Sequence, residues 1–232
     1  HTVLNGRLPA EQVLSHDLLE GALVRCAVVS DVTLVEPEPS QADVARSRLH
    51  RWTRGDWQLL PFLLRTGPWP MAAINRWKMW DNLRRSLVAP ASVWLLVSSF
   101  LGVGLTPALA LAVVWAAYTA GPLMGAVAGL VPVRADFAWR RYYLAAATDL
   151  CRTGLGGLWH TSQLLQQAVS NVDAIGRTLY RLTVSRRHLM EWTTAASLQH
   201  QATAGWSGLT ARTLTGPALA AAALLACTLA SH

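Results

Sequence analysis

The apolar positions change rhythm several times along this chain, and each rhythm predicts a different element. Residues 1–39 read as a compact α/β piece. It holds a helix from about Asp17 to Cys26, then the β-branched run VVSDVTLVEPEP, with Val29, Val32, Leu34 and Val35 in a strand that two prolines end. Such a piece closes no core alone, so its partner strands are expected upstream of His1. From Ser40, a helix-capping residue type, the pattern turns helical through QADVARSRLHRWTRGDWQLLPFLLR and breaks at Pro61. Within it Arg48, Arg51 and Trp52 stand at i, i+3 and i+4, a spacing that puts them on one helix face. In the following GPWPMAAINRWKMWDNLRRSL, Trp69, Trp77 and Trp80 alternate with Arg76, Lys78, Arg84 and Arg85. That mixture of rings and cations is expected of a helix lying in the lipid headgroup layer.

Between Leu87 and Val133 the polar pattern vanishes: 47 residues contain no Asp, Glu, Lys, Arg or His. Two spans of roughly 20 residues fit in that length, each enough to cross a hydrocarbon core of about 30 Å. The turn GLTP divides them into one span near Val88–Val103 and another near Ala108–Val131, with a kink at Gly121-Pro122. Arg84 and Arg85 precede the pair, and Arg134, Arg140 and Arg141 follow it, which puts both ends of the hairpin in the cytoplasm. Residues 136–212 return to amphipathic patterns and predict surface-lying helices with a cytoplasmic loop. Gly216–Ala230 is apolar again, a third span that is truncated or just long enough. The expected organisation is therefore 1–63 as part of a catalytic domain, 64–86 as an interfacial amphipathic helix and 87–133 as a transmembrane hairpin. Residues 134–212 follow as cytoplasmic or interfacial helices, and 213–232 as a third transmembrane segment.

Composition sharpens this picture. The chain is 52% hydrophobic and only 14% charged, unusual for a soluble protein. Its net charge of +7 comes mainly from residues 134–215, where nine Arg face four acids. Beside membrane spans such an excess marks the cytoplasmic side and anionic headgroups, so a lipid bilayer and no nucleic acid is the expected partner. Cys26, Cys151 and Cys227 are far apart, with no CxxC pair and no His at ligand spacing, and predict inert thiols in a reducing compartment. The N-terminus shows no signal-peptide pattern and no initiator Met, as expected of a fragment of a longer protein.

Three stretches then line up on the cytoplasmic side: LSHDLLEG at a helix start, RLHRWTRGDWQLLPFL on a helix, and the aromatic-basic helix that enters the hairpin. In this order they resemble membrane-embedded processive β-glycosyltransferases of GT-A type, which carry an acidic base in a short motif and then Q-x-x-R-W ahead of the pore helices. With RWKMWDNLRRSLVAPA and LYRLTVSRRHLMEWTTAA added, the resemblance is to the glycosyltransferase portion of cyclic β-1,2-glucan synthases, over about Leu14–Ala196. Arg48 stands where cellulose-type enzymes have Gln, a departure that favours the glucan transferases. The resemblance implies an α-rich membrane protein fragment: the C-terminal part of a GT-A α/β glycosyltransferase domain, then interfacial helices and two to three transmembrane helices. It also implies transfer of glucose from UDP-glucose, with inversion, onto a growing β-glucan in the bacterial inner membrane, the catalytic part being cytoplasmic.

Each site residue that the resemblance nominates also has an ordinary alternative. Asp17 would be the catalytic base, taking the acceptor hydroxyl's proton, whereas its position before Glu20 also suits a helix cap. Arg51 would offer a permanently charged, bidentate partner to the diphosphate, the alternative being a solvated helix face. Trp52 would stack on a pyranose, or else pack towards the membrane. Arg48 is a further phosphate-binding candidate, and Asp56 with Trp57 and Gln58 would extend the acceptor site, with helix packing as the alternative. His16 suits a hydrogen bond better than a metal. A divalent cation, Mg or Mn, is implied, and because the chain contains no D-x-D its ligands are expected upstream. Two rivals are a glucosyltransferase for linear osmoregulated periplasmic glucans and a non-catalytic membrane scaffold or transporter fragment, in which Asp17 only caps and Arg51 only meets lipid phosphate.

Overall fold

A computed structural model describes residues 13–14, 17–24, 31–35, 42–64, 71–132 and 138–191. His16, Trp69, Arg134, Cys26, Cys227 and the apolar stretch 213–232 lie outside these. The described residues are helix-rich: α1 (Asp17–Leu23), α2 (Ala42–Gln58), α3 (Leu60–Leu64), α4 (Ala73–Phe100), α5 (Pro107–Ala128), α6 (Trp139–Ser162) and α7 (Leu164–Tyr180), with one π turn at Arg181–Ser185. Two compact units divide them. The described residues up to Pro90 and from Gln167 onward form one, and those of 91–166 belong to the other.

The expected strand is a correction. Asp31–Val35 has no regular secondary structure, and Leu34 and Val35 are 85% and 91% exposed. A strand is stabilised by its ladder partners, and no strand occurs among the described residues. The expected first helix also ends earlier, at Leu23. Pro61 interrupts the helical run as its chemistry dictates: α2 stops at Gln58, and Pro61 enters the first turn of α3, where its missing N–H leaves no bond unmade.

In the first unit, Leu19 of α1, Leu59 from the α2–α3 turn, Phe62 and Leu63 of α3, and Met79 and Leu83 of α4 are buried together with Val13. Met79, Leu83, Ser86 and Ala89 fall at i, i+4, i+7 and i+10 and form the buried stripe of α4, while Trp77, Trp80 and Arg84 are exposed. On the part of α7 in this unit the stripe is Ala168, Asn171, Ala174 and Thr178. Polar contacts join the helices: Asn171 Nδ2 donates to the Ser86 carbonyl at 2.8 Å, and His50 Nε2 lies 3.0 Å from Asp173 Oδ2, whose other oxygen takes the Arg177 Nε–H at 2.7 Å. One face of α2 carries buried Arg54 and Gln58. Arg54 Nη1 donates to the Glu191 carbonyl at 2.9 Å; Gln58 Nε2 donates to the Leu189 carbonyl at 2.9 Å and its Oε1 accepts from Leu14 N–H at 2.7 Å. Burial, with Arg181 nearby, holds the Arg54 guanidinium below its usual pKa, and Glu191 partly offsets this.

In the second unit, Gly102 and Gly104 adopt φ of 76° and 87° in the turn after α4, a left-handed geometry that glycine enters without Cβ strain. Thr106 precedes α5, and Pro107 starts it in the position where proline is pre-organised for a helix. Helices α5 and α6 pack closely at Gly157, where a Cβ would collide with the Thr119 methyl and lie 2.9 Å from Trp115 Nε1. Stacked Tyr118 and His160 rings, 5.9 Å apart, extend that contact. The 22 residues of α5 span about 33 Å at 1.5 Å per residue. Among the described residues this is the helix long and apolar enough to cross a membrane. Its Leu111 and Met124 are 43% and 73% exposed, a surface better matched to lipid than to water.

Candidate functional site

Helical geometry decides which residues of the RLHRWTRGDWQ stretch can work together. Leu49, Trp52, Thr53 and Asp56 stand at i, i+3, i+4 and i+7 on α2 and face one cavity of about 600 Å³, a size typical of small-molecule sites. Asp17 and Leu18 of α1 join the same wall, as do Asn82, Arg85 and Ser86 of α4 and Gln167 and Asn171 of α7. All belong to the first unit. Asp17, Trp52 and Asp56 are therefore brought together although the first two stand on different helices, α1 and α2.

The neighbouring candidates sit elsewhere on the helix. Consecutive helical residues point about 100° apart, so Arg51 is turned away from the face that Trp52 presents and is not among the described lining residues. Arg48 reaches the site indirectly: its guanidinium lies 4.4 Å above the centre of the Trp52 ring, a cation–π contact that covers one face of the indole and steadies it. Trp57 packs against the apolar core, and its Nε1–H donates to Ser86 Oγ at 2.9 Å. It thus braces a wall residue of the cavity. Gln58, 2% exposed, has both ends of its amide committed to backbone groups.

The two carboxylates of the cavity differ in environment. Asp17 is exposed in the first turn of α1, where the helix dipole favours negative charge. Asp56 is half-buried; burial raises its pKa above the ordinary value, while the Asn82 amide, 3.0 Å from Oδ1, and the Arg85 charge partly oppose that rise. Arg85 is held at 2.6 Å by Asp81. Because the folded pKa of Asp56 exceeds the unfolded one, its contribution to stability is complete below the ordinary carboxylate pKa and is lost as pH rises through the raised value. Asp56→Asn keeps an oxygen for the Asn82 amide but removes the charge. It is expected to raise the unfolding temperature at pH 7 and to change it little at pH 4, as thermal unfolding of detergent-solubilised protein would show. A lower unfolding temperature at pH 7 would contradict this assignment.

Asn82, Asn171 and Gln167 escape sequence reasoning, because an amide on a helix has no chemical signature until another helix places it at a cavity. Among the described residues no group of three or more His, Cys, Asp or Glu is placed to hold a metal ion. No protein-family model matches the chain. A curated protein does: over 200 residues, 84% of this chain, it is 39% identical to the cyclic β-(1,2)-glucan synthase NdvB of Rhizobium meliloti strain 1021. This chain is a homologue of a segment of a cyclic β-(1,2)-glucan synthase. The aligned stretch makes up 7% of that relative's length.

Proposed function

We propose that the chain is the acceptor-side and membrane-entry segment of an inverting, UDP-glucose-dependent glucosyltransferase that builds cyclic β-1,2-glucan. On this reading residues 1–63 complete a GT-A domain and 64–86 lie in the headgroup layer. Residues 87–133 cross the bacterial inner membrane as a hairpin, 134–212 return to the cytoplasmic surface, and 213–232 form a third span. The observation that carries the reading is the shared cavity of Asp17, Trp52 and Asp56; likeness to NdvB over most of the chain supports it.

The chemistry follows from these groups. The acceptor hydroxyl oxygen bonds to C1 of the donor glucose from the side opposite UDP. The bond from C1 to the phosphate oxygen breaks, UDP leaves with the electron pair, and Asp17 takes the hydroxyl proton. Trp52 offers the indole face not covered by Arg48 to a pyranose ring. Arg48 and Arg51 serve the diphosphate outside the described cavity wall, and Trp57 acts through Ser86. The described residues do not fit a divalent cation, so any Mg or Mn ion would be held by carboxylates outside them.

The test uses incorporation of glucose from UDP-glucose into polymer by the full-length synthase in native membranes. Trp52→Ala is expected to lower synthesis about tenfold or more, a loss of stacking worth at least about 1.4 kcal/mol, with Trp52→Phe retaining most of it. Wild-type synthesis in Trp52→Ala would remove the sugar platform.

A further inference from the structure

We propose that helix α7 supplies the acceptor wall of this cavity, where Asn171 and Gln167, with the Asp56–Asn82 pair, bind hydroxyls of the terminal sugars of the growing glucan and not the nucleotide diphosphate. The proposal rests on the glucosyltransferase reading above and assigns one side of its site.

Asn171 is only 3% exposed yet belongs to the cavity wall. Its Nδ2 donates to the Ser86 backbone carbonyl at 2.8 Å. A carbonyl oxygen can only accept, so this bond fixes which end of the amide is which and leaves Oδ1 as the remaining acceptor. That Oδ1 is buried with no donor among the described residues. A buried acceptor without a donor is destabilising, and a sugar O–H satisfies it. Gln167, four residues earlier and on the same face of α7, adds a half-buried amide one turn away. Asn82, already donating to Asp56 at 3.0 Å, adds an amide–carboxylate pair. Amides and carboxylates side by side match a polyol, whose hydroxyls each donate and accept.

Charge favours a neutral ligand over a diphosphate. Among the described lining residues two are carboxylates, Asp17 and Asp56, and one is a cation, Arg85, which Asp81 engages, with the Arg48 guanidinium behind Trp52. A diphosphate would lie against the Asp56 and Asp17 carboxylates there, whereas a neutral sugar meets no such opposition. The aromatic Trp52 in the same wall completes the pattern of a carbohydrate site: a ring for the apolar face of a pyranose and polar groups for its edge.

The experiment titrates the solubilised full-length synthase separately with sophorose, the β-1,2-linked glucose disaccharide, and with UDP-glucose, by calorimetry. Asn171→Ala and Gln167→Ala are each expected to weaken sophorose binding about five- to tenfold while UDP-glucose affinity stays within about twofold. Gln167 is half-exposed, so its variant is expected to keep an unfolding temperature near wild type and separates ligand loss from misfolding. Unchanged sophorose affinity in both variants, a loss that falls on UDP-glucose instead, or no sophorose binding by the wild type overturns the proposal. Asp17→Asn tells the two readings apart. A synthase silenced by it but indifferent to the α7 variants loses only the acceptor wall; one still active with it yet sensitive to them loses only the base.

Discussion

Asp17→Asn in the full-length synthase is expected to cut glucan synthesis by about a hundredfold to ten-thousandfold, the usual scale for losing a positioned general base. UDP-glucose binding and the unfolding temperature should stay near wild type. Magnitudes separate the two roles of this carboxylate. A charge in the first turn of an exposed helix contributes only about 0.3–1 kcal/mol through the helix dipole, and Asn is as good a helix-start residue as Asp. If Asp17 only caps, the variant loses a few tenths of a kcal/mol of stability and no activity. Loss of the base instead costs the transition state about 3–5 kcal/mol, with stability untouched. Normal turnover in this variant returns Asp17 to capping. Should Asp56→Asn be the inactive variant while Asp17→Asn works, the proton acceptor is Asp56, whose raised proton affinity suits a base acting near neutral pH.

Leu59→Ala is expected to destabilise the first unit by about 2–5 kcal/mol, read as a lower unfolding midpoint in denaturant. Leu59 is 2% exposed, and its neighbours come from α1, α3 and α4: Leu19, Phe62, Leu63, Met79 and Leu83. These are the elements that carry Asp17 and Asn82 to the cavity that Trp52 and Asp56 face. Truncation leaves a hole that rigid helices fill only partly, so the cavity walls loosen together with the core. Activity should therefore fall in parallel with stability. Wild-type stability in Leu59→Ala would mean that this cluster does not hold the unit together.

Much of this was legible in the sequence because its causes are local. Pro61 interrupts the α2–α3 run, although Pro90 and Pro122 sit inside α4 and α5; the GLTP turn separates α4 from α5, and the uncharged run after Leu87 marks α5 as a membrane candidate. Over its described part, Asp31–Val35, the expected strand does not form for the opposite reason: β-branched residues favour a strand only when another strand offers a ladder, and none occurs among the described residues. Site residues divide along the same line. Asp17 and Trp52 stood out through their motifs, whereas Asn171 is silent in sequence and becomes important only because it meets Ser86, 85 residues away.

By itself the sequence determined that the chain is mostly helical, that a helical run is interrupted at Pro61, and which stretches are apolar enough for lipid, since each depends on residues within one or two turns. It also put Arg51 and Trp52 beside each other on one side of α2, with directions about 100° apart, because helix pitch is set by the backbone. Which of the two faces the cavity was decided only by tertiary structure. Burial of Arg54 and Gln58 against Leu14 and the 189–191 segment turns the opposite face of α2, with Trp52 and Asp56, toward α1, α4 and α7. That choice is made by contacts between residues 44 to 137 positions apart, and no local pattern encodes it.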